Sequence, residues 1–194
     1  DNFRTAGDEP IQYFKKFKNK VKVIVSENRV KALNINETDK IDVNILDDAY
    51  QQRLVKSDMN ILLSSIKTPF YKDYIFPMGM LREYRKNANR ADLLVFTGCD
   101  ENLNEKERDE VISDAKVYLK INTPILFSQV QYGEPKKVFG QKIHRKIIGL
   151  SSIAYPDSFF SFLKSKYKLV KTFQFQDHHS YRDKDLIKLI KECD

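Results

Sequence analysis

Apolar residues in this chain follow two patterns. Short continuous runs predict strands at Val21–Val25, Val43–Leu46, Asn60–Ser64, Leu93–Thr97, Ile125–Ser128, Ile147–Ser151 and Leu169–Phe175. Several of these are apolar without alternation, as a parallel sheet covered on both faces requires. Between them, apolar residues recur at helical spacing. Asn104 to Leu119 is the clearest helix: Asn104 can cap it, Glu107 sits three residues on, and Val111, Ile112, Ala115, Tyr118 and Leu119 form one face. A second helix opens at Pro156 with Phe159, Phe160 and Leu163 turned to a core. A third runs from about Asp183 on a stripe of Leu186, Ile187 and Ile190. Alternating strands and helices predict an α/β fold with a mostly parallel sheet flanked by helices.

The segment Tyr132–Ile148 breaks the alternation. Gly133-Glu134-Pro135 and Gly140-Gln141 are turn signals around Lys- and Val-containing pieces, so a β-hairpin or edge insertion is expected there. The chain then reads as three parts, 1–131, 132–148 and 149–194. At 194 residues and 41% apolar, with ten Tyr and thirteen Phe, it can bury a core and is not a disordered segment. The net charge of +7 comes from basic residues interleaved with acids. A solvated basic surface and an attraction to phosphates, nucleic acid or an anionic membrane both fit it. Cys99 and Cys193 are too few for a disulfide framework or a zinc site, which points to a reducing cytoplasm. No run approaches the roughly 20 apolar residues that span a bilayer, and no signal peptide is visible, so membrane contact is expected to be peripheral. The chain begins at Asp1 without a methionine and stops at Glu192-Cys193-Asp194 within a helical pattern. The expectation is an internal fragment of a longer protein.

Four charged clusters sit at strand or loop boundaries. Asn44-Ile45-Leu46-Asp47-Asp48-Ala49-Tyr50-Gln51 delivers two adjacent carboxylates to the end of a predicted strand. Two such charges repel unless a cation lies between them, and Mg²⁺ takes one or two carboxylates plus phosphate oxygens and water. A plain turn is the alternative. In Gly7-Asp8-Glu9-Pro10, Pro10 suits a first helical turn followed by Ile11, Phe14 and Phe17. Asp8 then either caps that helix or accepts a proton from a substrate hydroxyl. Arg82 and Glu83 follow Phe76-Pro77-Met78-Gly79, where they form either a surface pair or a phosphate contact. His178 lies between Asp177 and His179, where a carboxylate can orient a base. No Gly-x-x-x-x-Gly-Lys-[Ser/Thr] occurs in the chain.

The ordered set Gly7-Asp8-Glu9-Pro10, Leu46-Asp47-Asp48-Ala49-Tyr50-Gln51, Gly79-Met80-Leu81-Arg82-Glu83 and Asp177-His178-His179 resembles the tetraacyldisaccharide 4'-kinase (lipid A 4'-kinase) family. Arg90-Ala91-Asp92 before the Leu93–Thr97 strand and Ile153-Ala154-Tyr155-Pro156-Asp157-Ser158-Phe159-Phe160 add to the likeness, which runs from Gly7 to about Tyr181. The resemblance implies a P-loop-NTPase-like fold whose N-terminal phosphate loop lies upstream of this chain. It makes 1–131 the remainder of a nucleotide-binding kinase core and 149–194 a C-terminal α/β lobe. It also implies ATP-dependent phosphorylation of the 4'-hydroxyl of an acylated glucosamine disaccharide phosphate, with Mg²⁺, at the cytoplasmic face of a Gram-negative inner membrane. By the same resemblance Asp8 is the general base, paired with His178. Asp47 and Asp48 lie near Mg²⁺ and phosphate, Glu9 joins them at metal and nucleotide, and Arg29, Arg82 and Glu83 meet the nucleotide. One departure is Gln52, where members often carry a histidine.

Without its phosphate loop the chain alone should be inactive. The competing readings are a non-catalytic binding module for anionic lipid or nucleic acid and a scaffolding domain whose charged clusters are caps and surface pairs. Nucleic acid is not an expected partner, because the basic residues form no stripe and no recognition motif is present.

Overall fold

The computed structural model describes residues 6–36, 41–138 and 146–191. They divide into two compact units, Asp1–Gln129 and Val130–Asp194.

In the first unit, β1 (Ile61–Ser65), β2 (Leu93–Thr97) and β3 (Ile125–Phe127) form a parallel sheet in that order, with Ile61 opposite Leu93 and Leu94 opposite Ile125. β2 is central, and its Leu94 and Phe96 are fully buried. They join Phe70, Tyr71, Ala88 and Ala115 in one core, where Phe96 stacks on Phe127 at 5.6 Å and meets Tyr71 edge-on. Among the described residues, the α-helices of this unit are α1 (Asp8–Phe17), α2 (Arg29–Asn36) and α3 (Glu105–Lys116). α3 carries the chain from β2 to β3. Its predicted capping box is present: Glu107 N–H donates to Asn104 Oδ1 at 2.9 Å and Asn104 N–H to Glu107 Oε2 at 3.0 Å. The β1–β2 connection is different. It has no α-helix, only a long loop and the 3₁₀ helix Arg85–Arg90, and this crossover carries the Leu81-Arg82-Glu83 motif.

Two predicted strands do not form. Val21–Val25 and Val43–Leu46 pair with no neighbour among the described residues, and Ile45 is 90% exposed. An apolar run becomes a strand only when a ladder satisfies its backbone, and none reaches these two. The start of α1 also differs from expectation. Gly7, at φ 87°, is the N-cap and Asp8 is the first helical residue, so Asp8 does not cap.

In the second unit, β4 (Lys146–Ser151) and β5 (Lys168–Gln174) are parallel and joined through α4 (Asp157–Lys166), followed by α5 (Asp183–Lys191). Leu163 of α4 is buried, as its spacing predicts. A Cβ on Gly149 would sit 3.2 Å from side-chain carbons of Leu163, Leu169 and Phe160, so a larger residue there would require these side chains to shift by a few tenths of an ångström where helix and sheet meet. The stripe Leu186, Ile187 and Ile190 of α5 is exposed. Residues 139–145, within the predicted hairpin, lie outside the described residues, and 146–148 enter β4. Among the described residues no helix is long and apolar enough to cross a membrane.

Candidate functional site

Glu83 is the best-anchored carboxylate of the sequence clusters. Its Oε2 accepts from Asn87 Nδ2 at 3.0 Å and, at longer range, from Arg53 Nη2; its Oε1 accepts from Arg90 Nη2 and faces Gln51 Nε2 at 3.4 Å. Asn87 and Arg90 lie three apart on one face of the 3₁₀ helix Arg85–Arg90, and Glu83 just before it bonds to both. The same groups hold the segment after Asp47-Asp48. Tyr50 O–H donates to the Asn87 carbonyl at 3.0 Å, and Arg90 Nη1–H donates to the Tyr50 carbonyl at 2.9 Å. The Arg90 guanidinium also stacks 4.4 Å from the centre of the Tyr50 ring. Burial pushes the Tyr50 phenol up to about 12, although Arg90 pulls the other way. Beside this network lies a small cleft of about 80 Å³, lined by Tyr50, Gln51, Arg82 and Glu83 over Leu62 and Phe70. Arg82 is exposed at its rim.

Asp47 and Asp48 are exposed and occupy a turn, not the edge of a strand. Asp48 has φ 49°, a conformation that aspartate tolerates better than most residues, and its N–H donates to Asp47 Oδ1 at 3.0 Å. The pair presents hard oxygens to solvent, a donor set that suits Mg²⁺ with phosphate and water completing the shell. Among the described residues no three His, Cys, Asp or Glu side chains gather as a metal site, so Glu9 does not join Asp47 and Asp48 in one group.

Asp8 and Glu9 form the exposed first turn of α1, where Asp8 Oδ1 accepts from the Glu9 N–H at 3.1 Å. Negative charge there is favoured by the helix dipole. Arg29 opens α2, which Asn28 caps by accepting from Lys31 N–H at 3.0 Å. Its guanidinium Nη1 donates to the Ser26 carbonyl, and its Nε is buried without a partner.

In the second unit the two adjacent histidines are held differently. His179 lies 3.1 Å from Asp185 Oδ2 and stacks 4.6 Å from Phe175, with Tyr181 edge-on. Asp185 also accepts from Arg182 N–H, and this bond, followed by His179, holds its carboxyl below the usual range. His178 has φ 54°, its N–H donates to the Ser152 carbonyl at 3.2 Å, and its exposed ring lies 3.9 Å from Asp177. The contacts that lock the imidazole of His179 leave that of His178 facing solvent.

Of the four sequence clusters, the structure therefore brings two together: the segment following Asp47-Asp48 and Leu81-Arg82-Glu83. The residues that join them, Tyr50, Asn87 and Arg90, were not sequence candidates. Their signal was present in Tyr50-Gln51 and Arg90-Ala91-Asp92, but a contact across forty residues has no local signature.

Comparison with known proteins follows the same motifs. A family model described as tetraacyldisaccharide-1-P 4'-kinase matches residues 1–194. The tetraacyldisaccharide 4'-kinase of Flavobacterium johnsoniae is 37% identical over 194 residues, covering 95% of this chain and 55% of the relative. The protein of that name from Cytophaga hutchinsonii is 30% identical over 190 residues, with 95% and 53% covered. That from Bacteroides fragilis is 30% identical over 201 residues, with 96% and 53% covered. The chain thus spans about half the length of the curated relatives it matches. No solved structure matches it.

Proposed function

The chain belongs to the tetraacyldisaccharide-1-P 4'-kinase family, and from that premise we propose that the whole protein transfers the γ-phosphoryl group of ATP to the 4'-hydroxyl of an acylated glucosamine disaccharide 1-phosphate. The observation that carries the reading is the link, through Tyr50, Asn87 and Arg90, between the segment after Asp47-Asp48 and the Arg82–Glu83 cleft. In a phosphoryl transfer the protein mainly positions groups and stabilises charge, so two fixed polar segments around a cleft suit the task.

In this reading the 4'-oxygen bonds to the γ-phosphorus as the bond from that phosphorus to its bridging oxygen breaks, and ADP leaves. Asp8 takes the hydroxyl proton, and His178 tunes that step. Arg82, exposed beside the cleft, meets nucleotide phosphate, and Arg29 serves the phosphates as a second cation. Asp47 and Asp48 would hold Mg²⁺, which supplies charge neutralisation at the phosphates; Glu9 adds negative charge near the nucleotide. Glu83 acts through its partners, fixing the cleft wall. The setting is the cytoplasmic face of a Gram-negative inner membrane.

The test is ³²P transfer from ATP to tetraacyldisaccharide 1-phosphate. Because these residues contain no glycine-rich phosphate loop, activity is expected from a longer chain that supplies one and not from these 194 residues alone. In the active protein, Asp8→Ala should lower kcat far more than it raises the KM for ATP. Loss from His178→Ala should not add to it if the two act as a unit. Unchanged kcat in Asp8→Ala would remove the general base from this reading.

A further inference from the structure

Between Lys72 and Tyr84 the chain forms a loop that inverts the usual surface arrangement, with its polar groups satisfied inside and its apolar side chains outside. Phe76 N–H donates to the Leu81 carbonyl and Leu81 N–H to the Tyr74 carbonyl, both at 3.0 Å, closing the loop at an Ile75–Leu81 bridge. The Asp73 carboxylate accepts from Tyr74 N–H at 2.8 Å and from Met80 N–H at 3.2 Å. A Cβ on Gly79 would fall 2.4 Å from the Tyr74 carbonyl oxygen, so only glycine permits the closure. The loop is therefore built to one shape. Yet Phe76 is 74% exposed and Met78 and Met80 are each 82% exposed, with Tyr74 and Tyr84 exposed at its base.

Cations lie at the base of this loop. The Arg85 guanidinium lies 4.8 Å from the Tyr74 ring centre while its Nε–H donates to the Asp73 carbonyl, and Lys86 lies 5.8 Å from the Tyr84 ring. Residues 66–90 carry Lys67, Lys72, Arg82, Arg85, Lys86 and Arg90 against Asp73 and Glu83, a net +4 out of the chain's +7. Both acids are already engaged by backbone or arginine. An apolar tip, tyrosines at its base and a net positive charge in the surrounding sequence match the layers of a bilayer surface: acyl chains, interfacial region and anionic headgroups.

We propose that Phe76–Met80 is a membrane-docking loop that inserts Phe76, Met78 and Met80 into an anionic phospholipid surface. This deepens the proposed function by naming the surface that meets the bilayer. It is read by binding alone, without ATP or acceptor, so its failure and that of the kinase reading are distinguishable.

The experiment is sedimentation of the chain with phosphatidylcholine vesicles, with and without phosphatidylglycerol. Binding is expected only to the anionic vesicles. The double variant Met78→Ser/Met80→Ser should weaken it about tenfold or more. Met59→Ser, an exposed methionine outside the loop, should not. The chain has no tryptophan, so Met78→Trp places a single reporter at the tip. Its emission should shift to the blue on anionic vesicles and be quenched by lipids brominated along the acyl chain. Absence of binding to anionic vesicles, or equal binding by the double variant, would overturn the proposal. So would an indole unmoved by lipid, or one already blue-shifted without lipid, which would mean that a protein surface covers the loop.

Discussion

Glu83 and the Asp47–Asp48 pair belong to segments that the structure ties together, yet their carboxylates are treated in opposite ways. The Glu83 side chain is 19% exposed and sits among Arg90, Asn87, Gln51 and Arg53. Asp47 and Asp48 stand in solvent on a turn where Asp47 accepts from the neighbouring Asp48 N–H. A half-buried carboxylate without partners would be costly, so Glu83 is spent on holding the fold. An exposed pair of like charges contributes nothing comparable to stability and remains available to a cation. The two kinds of acid should therefore fail differently when changed.

The sharpest separation is kinetic. In the whole protein, Asp47→Asn should lower turnover on the order of a hundredfold or more if, as proposed above, this carboxylate serves Mg²⁺ and phosphate. Its melting temperature should stay close to the parent's, because an exposed substitution typically moves stability by within about 0.5 kcal/mol. Normal turnover at limiting Mg²⁺ would break the comparison at its functional end.

The structural end is tested at Arg90. Replacing it by methionine keeps bulk but leaves Glu83 without its main cation, and a loss of about 1–3 kcal/mol is expected in urea unfolding. Arg90→Lys should recover only part of this, because one ammonium cannot donate to Glu83 and to the Tyr50 carbonyl as the planar fork does. Full stability in Arg90→Met would mean that the network is incidental.

Tyr50→Phe removes one hydrogen bond from the same network, worth about 1 kcal/mol. It also tests the sign of a pH effect. The folded phenol is raised from 10.0 to about 12, so the folded state holds its proton more tightly than the unfolded one. That contribution is complete below about pH 10 and lost as pH rises toward 12. The parent should lose stability over that interval more steeply than Tyr50→Phe. Identical alkaline profiles would show that the Tyr50 phenol is not linked to folding.

The strands that were legible in the sequence are those with ladders. Leu93–Thr97 was predicted to the residue because a central parallel strand is apolar on both faces, and the α3 capping box was readable because its partners lie three residues apart. Val21–Val25 and Val43–Leu46 have the same apolar texture and form no strand, since pairing depends on a neighbour that local pattern does not encode. The candidate site divides in the same way. Motif residues were visible as motifs, whereas the roles of Tyr50 and Arg90 arise from contact across forty residues. The family resemblance singles out His178, but that Phe175 and Asp185 hold the ring of His179 while that of His178 stays exposed is legible only in three dimensions.

Asp92 lies between the two extremes and gives the smallest expected effect. Its carboxylate accepts from Asn60 N–H at 2.9 Å and from Lys120 Nζ at 3.2 Å, joining the starts of β1 and β2 to the turn before β3. Its side chain is 38% exposed, so water screens much of the attraction. The Asn60 N–H, and then Lys120, hold its carboxyl below the usual range. A lowered pKa contributes stability above the unfolded value, near 4, and that stability is lost as pH falls through the folded value. Asp92→Asn keeps an acceptor for Asn60 but no charge for Lys120. At neutral pH it should therefore cost about 0.2–1 kcal/mol, the range of an exposed pair. Once pH falls below the folded value, the parent carboxyl is protonated too and the difference between the two proteins should vanish. A difference that persists into strong acid would place the role of Asp92 in geometry rather than charge, and move it to the side of Glu83.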